Sequence, residues 1–131
     1  MDTNNYNIDN DDDFVTILGH HFWVWGVDPF SSKHTGLFRE VLICTCQPSE
    51  KPLVIVCKEG CLKGQYFNER AQAFVSIEDN PRLIIPEGAK LPDEIWSQIV
   101  KWIRLNKEGL LQYWNNKIDT IEFCEIIKKI T

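Results

Sequence analysis

The chain has no long apolar run and no pattern typical of an export signal. Its apolar stretches stay below the roughly 18 consecutive residues that a membrane span needs, and its first residues are polar and acidic. We therefore expect a cytoplasmic protein without membrane contacts. The five cysteines are an odd number in a chain without an export signal, which predicts reduced thiols and no disulfide framework.

Clustered basic residues are also lacking. The chain carries 19 acidic residues and 14 Lys and Arg, but residues 1–13 hold five of the acids and no base, so the remainder is formally neutral. Scattered single cations do not form the basic footprint that phosphate contacts require, so we expect no direct nucleic-acid binding. Residues 1–13 are predicted to form a disordered acidic tail. The alternative is a segment that mimics nucleic acid toward a basic partner.

What the chain does have is enough apolar sequence for one core. Its 131 residues are 44% hydrophobic, with five Trp and seven Phe, which predicts a single domain over 14–131. The first two thirds carry strand-like segments separated by turn residues. These are 14–18, 22–27, 37–46, 52–58 and 71–77, with weaker candidates at 62–67 and 82–85.

Helical patterns fill the last third. After Pro92, apolar residues including three Trp recur over a wide arc as far as Trp114, which suits a long helix lying across a sheet. Gly109 argues for a break or a kink in it. Asp119 and Glu122 predict a capping box that starts a short second helix. This helix should pack by Phe123, Ile126, Ile127 and Ile130 and end the chain.

The order of these elements predicts an α+β fold. A block of strands followed by a block of helices indicates an antiparallel sheet of about five strands, covered on one face by the long Trp-rich helix, with the short helix added at the end.

Aromatic and polar side chains supply the candidate contacts with a partner. Trp23 and Trp25 share one face of a predicted strand and would form an aromatic platform if the helix covers the other face. Phe30 and His34 fall in a polar loop, 28–36, where Phe30 would be exposed. Asn106 lies within the apolar arc of the long helix, so it is either buried and hydrogen-bonded, as most such residues are, or placed at a groove.

The cysteines offer a candidate metal site. Cys44, Cys46, Cys57 and Cys61 provide the number and type of ligand that a structural zinc ion prefers. The C-x-C and C-x₃-C spacings differ from paired C-x₂-C knuckles, however, and direct strand pairing would place Cys57 well away from Cys44. Apart from this zinc alternative we expect no cofactor.

Catalysis is a further alternative. A Cys–His nucleophile pair, or an acid–base pair of His34 with Asp28, would suit a small hydrolase or nuclease. Nothing in the spacing of these residues fixes their geometry, so the pattern favours binding over catalysis.

The last third resembles the end of small uncharacterised bacterial domains found beside toxin–antitoxin genes. The resemblance rests on residues 102–106 (WIRLN), residues 110–114 (LLQYW) and the closing Lys-rich helix. It implies an α+β fold and a bacterial or phage setting. We therefore expect a non-enzymatic protein-binding module that acts as a regulator or inhibitor in a bacterial or phage conflict system, with a protein or a second copy of the chain as its partner.

Overall fold

The structure is a computed structural model that describes residues 13–47, 50–61, 65–84 and 90–130. The predicted acidic tail lies outside these residues except for Asp13. Two strands form a separate hairpin, β1 (Phe14–Ile17) and β2 (His20–Trp23). The remaining strands are β3 (Val27–Phe30), β4 (Val41–Cys44), β5 (Leu53–Cys57), β6 (Ala71–Ser76) and β7 (Leu83–Ile84). The helices are α1 (Ser32–Thr35), α2 (Phe67–Arg70), α3 (Asp93–Trp114) and α4 (Thr120–Ile126).

The five later strands form one antiparallel sheet in the order β3-β4-β5-β6-β7. Each strand pairs with its neighbours in sequence, so the sheet is a simple meander. With α3 and α4 against it, this arrangement confirms the predicted α+β fold with a five-stranded antiparallel sheet, a long helix and a short one.

Both faces of this sheet are covered. Along β4, Val41 and Ile43 belong to the apolar cluster that includes α3, whereas Leu42 and Cys44 belong to a second cluster on the opposite face. All four residues are buried. The long helix covers one face, as predicted, and the β1–β2 hairpin covers the other face, which the prediction left open.

Helix α3 begins one residue after Pro92 and runs without interruption to Trp114. Asp93 and Glu94 occupy its first turn, where the helix dipole stabilises negative charge. The expected break at Gly109 does not occur. A Cβ atom there would lie 3.0 Å from Cδ1 of Ile126, so glycine allows α4 to approach α3 closely.

Helix α4 starts as predicted and ends earlier. The Asp119 carboxylate accepts a hydrogen bond from the Glu122 amide, and the Glu122 side chain accepts one from the Asp119 amide, which completes the capping box. The helix stops at Ile126, which is 47% exposed, so the expected packing through all of its isoleucines is wrong. Ile130 reaches the core beyond the helix, and its amide donates to the carbonyl of Thr35 at 3.2 Å.

The predicted strand 22–27 is divided in two. A 3-10 turn at Val24–Gly26 carries the chain from the hairpin layer into the sheet. Gly26 is required because a Cβ atom there would overlap the carbonyl oxygen of Thr45. The long strand predicted at 37–46 shortens to β4. Of the candidate at 82–85, Leu83–Ile84 form β7, and residue 85 is outside the described chain. For 62–67, residues 62–64 are outside the described chain and Phe67 begins α2.

Among the described residues, no helix is both long enough and apolar enough to cross a membrane.

Candidate functional site: an aromatic stack between two surface cavities

Three aromatic side chains lie against one another at the junction between the hairpin and the sheet, one pair stacked and the other tilted. The rings of Phe14 and Trp23 have centroids 4.1 Å apart with 30° between their planes. The rings of Trp23 and Trp25 have centroids 5.8 Å apart with 33° between their planes. We call these three side chains the aromatic stack. Cross-strand pairing of Phe14 with Trp23 and the 3-10 turn after Trp23 bring them together.

The buried side chain of Gln47 fixes the centre of the stack. Its Oε1 atom accepts a hydrogen bond from the Trp23 amide at 2.7 Å, and its Nε2 atom donates to the Trp23 carbonyl at 2.9 Å. The side-chain amide thus satisfies both backbone groups of Trp23, as a neighbouring strand would. Because Gln47 is only 3% exposed, water cannot easily replace either bond, and the position of Trp23 is well determined.

On one side of the stack lies an open cavity of about 450 Å³, which we call the Trp groove. The backbone bond from the Cys46 amide to the Trp114 carbonyl, 2.9 Å long, attaches the end of α3 to its floor. The residues lining the groove are Trp23, Trp25, Cys46, Gln47, Trp114 and Asn115.

A second cavity, of about 320 Å³, lies beside the opposite end of the stack. Phe14 contributes to it, together with residues of the hairpin and of α2 and the segment before it. Its lining residues are Phe14, Val15, Val24, Gln65, Tyr66, Phe67 and Asn68. The stack therefore lies between two cavities. We call the stack and the two cavities together the aromatic surface.

This surface is exposed and uncharged. Trp25 is 59% exposed and Tyr66 is 75% exposed, although aromatic rings of this size are normally buried for the most part. None of the described residues lining the two cavities is Asp, Glu, Lys or Arg. Its chemistry favours apolar contacts supplemented by amide hydrogen bonds.

Two of the predicted contact residues lie away from this surface. Phe30 is 5% exposed and packs edge-on against Phe123, with ring centroids 5.5 Å apart. The expectation that Phe30 is exposed in a loop is wrong, because residues 27–30 form β3 and turn its side chain into the core. His34 is exposed in α1, where its Nδ1 atom lies 3.2 Å from Oγ of Ser31.

Of the two alternatives for Asn106, the structure shows a buried, hydrogen-bonded side chain. Its Nδ2 atom donates to the carbonyls of Trp102 at 3.1 Å and Lys128 at 2.9 Å. Its Oδ1 atom accepts from the Lys128 amide at 2.7 Å. The side chain therefore attaches the segment after α4 to the middle of α3, and it contributes to the fold and not to the aromatic surface.

The predicted acid–base pair of His34 with Asp28 is not formed. The Asp28 carboxylate instead accepts a hydrogen bond of 2.6 Å from the hydroxyl of Tyr113, which also lies 2.9 Å from Oγ1 of Thr120. Burial and this bond to Asp28 raise the pKa of Tyr113 above its ordinary value. The Tyr113 hydroxyl thus joins α3 to β3 through Asp28 and to the start of α4 through Thr120.

The four cysteines of the zinc alternative do not converge. Cys44 pairs with Val27 at one end of β4, whereas the Cys57 amide bonds to the carbonyl of Glu40, just before the other end. Four residues of extended chain separate these positions by roughly 13 Å. In the described part of the chain, no three or more His, Cys, Asp or Glu residues are grouped so that they could hold a metal ion.

Sequence reasoning missed several residues of the aromatic surface. Phe14 looked like an ordinary strand residue, and Trp114 like a core residue of the helix. Gln47 looked like part of a hairpin loop, and no periodicity marks a loop glutamine as buried. Tyr66 fell in a weak strand candidate. Only the alternation of Trp23 and Trp25 signalled the site.

Comparisons of the chain with protein-family models, with curated proteins and with solved structures found no match.

Proposed function

We propose that the protein is a non-enzymatic protein-binding module that uses the aromatic stack and the Trp groove as its contact surface. The observation that carries this proposal is the position of Trp25. Its indole is 59% exposed, one neighbour stacks against it, and the Trp groove opens beside it. Exposed Trp residues beside a concave surface are typical centres of protein interfaces.

Burial of Trp25 by a partner would supply a large share of the binding free energy. A Trp side chain buries 150–250 Å² when it is enclosed, so covering the exposed part of Trp25 removes on the order of 120 Å² from water. At about 25 cal/mol per Å² this contributes about 3 kcal/mol before the costs of association. A contribution of this size is characteristic of a residue whose truncation largely abolishes binding.

The geometry of the stack favours a peptide segment over a chain of bases. Successive bases need several aromatic faces open to stacking, but Trp23 lies between Phe14 and Trp25. The open aromatic area of the stack is therefore mainly that of Trp25, which is 59% exposed, with a smaller part on Phe14, which is 40% exposed. Together with the uncharged lining of the groove, this favours an extended segment of a partner that inserts one apolar side chain between Trp25 and Trp114.

The biological setting that we propose follows from the resemblance of the last third to small domains found beside toxin–antitoxin genes. In that setting the module acts as a regulator or inhibitor within a bacterial or phage conflict system. It does so by occupying a surface of its target protein. The zinc-stabilised module and the Cys/His hydrolase gain no support from the positions of Cys44, Cys57 and His34.

The test compares one contact variant with a matched control. Trp25→Ala removes the exposed indole, and Phe38→Ala removes another exposed aromatic ring, since Phe38 is 66% exposed. The Phe38 amide bonds to Gln98, which lies about 24 Å from Trp114 along α3 at 1.5 Å per residue. The control therefore makes the same kind of change on a distant part of the surface.

The wild-type protein is used as bait in lysate of its host, and the partner is then purified and titrated against all three forms by calorimetry. Trp25→Ala is expected to weaken binding about 100-fold, the equivalent of about 3 kcal/mol, while Phe38→Ala binds like wild type. Circular dichroism checks that both variants fold. Equal affinity of folded Trp25→Ala and wild type would rule out the aromatic surface. Self-association that depends on Trp25 would identify a second copy of the chain as the partner.

A further inference from the structure

A second cluster of reactive side chains lies at the end of β5, away from the aromatic stack. Cys57 is the last residue of β5, and Cys61 follows after a turn in which the Cys61 amide bonds to the carbonyl of Lys58 at 3.4 Å. Gly60 has a φ of 71°, which favours glycine and lets the chain reverse. The turn returns the chain beside the end of β5. The Cys61 side chain packs against the apolar cluster that contains Cys57, and both residues contact Glu40, Cys57 through its amide and Cys61 through its Sγ atom.

Charged side chains surround this pair. The Cys61 Sγ atom donates to Oε1 of Glu40 at 3.7 Å, and the same carboxylate oxygen accepts from Nη2 of Arg70 at 2.9 Å. Arg70 is only 4% exposed. A second arginine, Arg39, donates from its Nη1 atom to the carbonyl of Cys57 at 3.1 Å. These contacts hold the Cys61 thiol in one orientation beside Cys57.

The two thiols differ in access to solvent. Cys57 is fully buried, whereas Cys61 is partly exposed. Burial, and then the proximity of Cys61, raise the pKa of Cys57 to about 12, although Arg70 opposes this rise. Cys57 is therefore protonated and shielded at neutral pH, and an oxidant from solution meets Cys61 first.

We propose that Cys57 and Cys61 are a reversible disulfide-forming pair that a peroxide oxidises. The Cys61 sulfur attacks one oxygen of hydrogen peroxide, the O–O bond breaks, and Cys61 becomes a sulfenic acid while one water is released. The Cys57 sulfur then attacks the sulfenic sulfur, the S–S bond forms and the S–O bond breaks. The departing hydroxide takes the Cys57 proton as a second water. Two thiols lose two electrons and one peroxide gains them, and a dithiol reductant reverses the step.

The remaining cysteines provide internal controls. Cys44 is buried at the opposite end of β4, Cys46 is partly exposed in the Trp groove, and Cys124 is exposed on α4. If accessibility alone determined oxidation, Cys124 would react and cross-link two molecules. If proximity determines it, the product is an intramolecular bond between Cys57 and Cys61.

The experiment treats the whole protein with hydrogen peroxide, blocks free thiols with N-ethylmaleimide, and maps the peptides by mass spectrometry. We expect a monomer lighter by about 2 Da before blocking, the mass of two hydrogens, with Cys57 and Cys61 in one linked pair that dithiothreitol releases. Cys124→Ser retains this product. Cys57→Ser instead accumulates sulfenic acid at Cys61, which dimedone traps. Peroxide-treated wild type in which Cys61 proceeds to sulfinic acid without a Cys57 link would overturn the proposal, and so would disulfides confined to Cys124.

Discussion

Replacement of Gln47 by glutamate tests how the aromatic stack is held, because the two side chains have nearly the same shape. The substitution keeps an oxygen at the position that accepts from the Trp23 amide. In the wild type, the Gln47 Nε2 atom donates to the Trp23 carbonyl at 2.9 Å. The substitution replaces this donor with an oxygen, so two oxygens face each other. At neutral pH the new carboxylate is ionised, and Gln47 is only 3% exposed, so a charge is placed out of water.

The expected loss of stability has two parts. Leaving the buried Trp23 carbonyl without its donor costs about 1–3 kcal/mol. Burial of the carboxylate adds to this and raises the pKa of the introduced group above the ordinary value of about 4.3. We expect the free energy of unfolding of Gln47→Glu to fall by about 3 kcal/mol near neutral pH.

The pH dependence distinguishes this explanation from a general packing defect. A group whose folded-state pKa is raised contributes its full stability below its unfolded-state pKa and loses that contribution as the pH rises through the folded-state pKa. The protonated carboxyl of the variant can donate to the Trp23 carbonyl again. The difference between wild type and variant should therefore shrink at about pH 4 and be largest above about pH 7.

Urea unfolding followed by circular dichroism at several pH values measures this difference, with wild type titrated in parallel to remove the background of other groups. Gln47→Ala, which loses both hydrogen bonds and introduces no titrating group, is the matched control and should show a pH-independent difference. A constant difference for Gln47→Glu across this range would refute the inferred bond to Trp23.

Three further predictions concern the rest of the fold. Gly36→Ala should destabilise the protein by about 3 kcal/mol or more in urea unfolding, because φ is 79° there and a Cβ atom would lie within 3 Å of the Ile130 backbone oxygen; wild-type stability would show that the end of the chain packs elsewhere. Asp119→Ala should cost about 1 kcal/mol through loss of the capping box, whereas an unchanged urea midpoint would mean that α4 does not depend on its cap. Stability should also decrease as the pH rises above about 9, since burial raises the pKa of Cys57 to about 12 and the pKa of Tyr113 above its ordinary value. Each group stabilises the folded state fully below its unfolded-state pKa and loses that contribution as the pH rises through its folded-state pKa. A free energy of unfolding in urea that stays constant at alkaline pH would contradict their burial.

The sequence predicted the elements whose signals are local. The apolar arc after Pro92 and the Asp119 capping box located the starts of α3 and α4, because a helix start depends on neighbouring residues. The coverage of the sheet's second face was missed although β4 and β5 read VLIC and LVIVC without alternation, a pattern typical of strands buried on both faces.

The candidate site was only partly predictable, for a different reason. Trp23 and Trp25 do lie together, but a 3-10 turn places them there and not a shared strand face. The turn depends on the contact of Gly26 with Thr45 and on the bonds from Gln47. These contacts join residues about 20 positions apart, and no local pattern encodes them. Phe30 was misjudged because Pro29 and the polar residues after it resemble a loop.

The sheet has two edges, and their form limits how the molecule can meet other chains. Its first edge is β3, whose central residue Pro29 has no N–H group to offer an incoming strand. Its other edge, β7, contributes only two residues to the described sheet. Short or proline-containing edges discourage pairing between sheets of different molecules, which is how natural β proteins avoid aggregation. If the proposed binding function holds, a partner must therefore be recognised through side chains and not through backbone pairing, and single substitutions in the aromatic stack would then change selectivity.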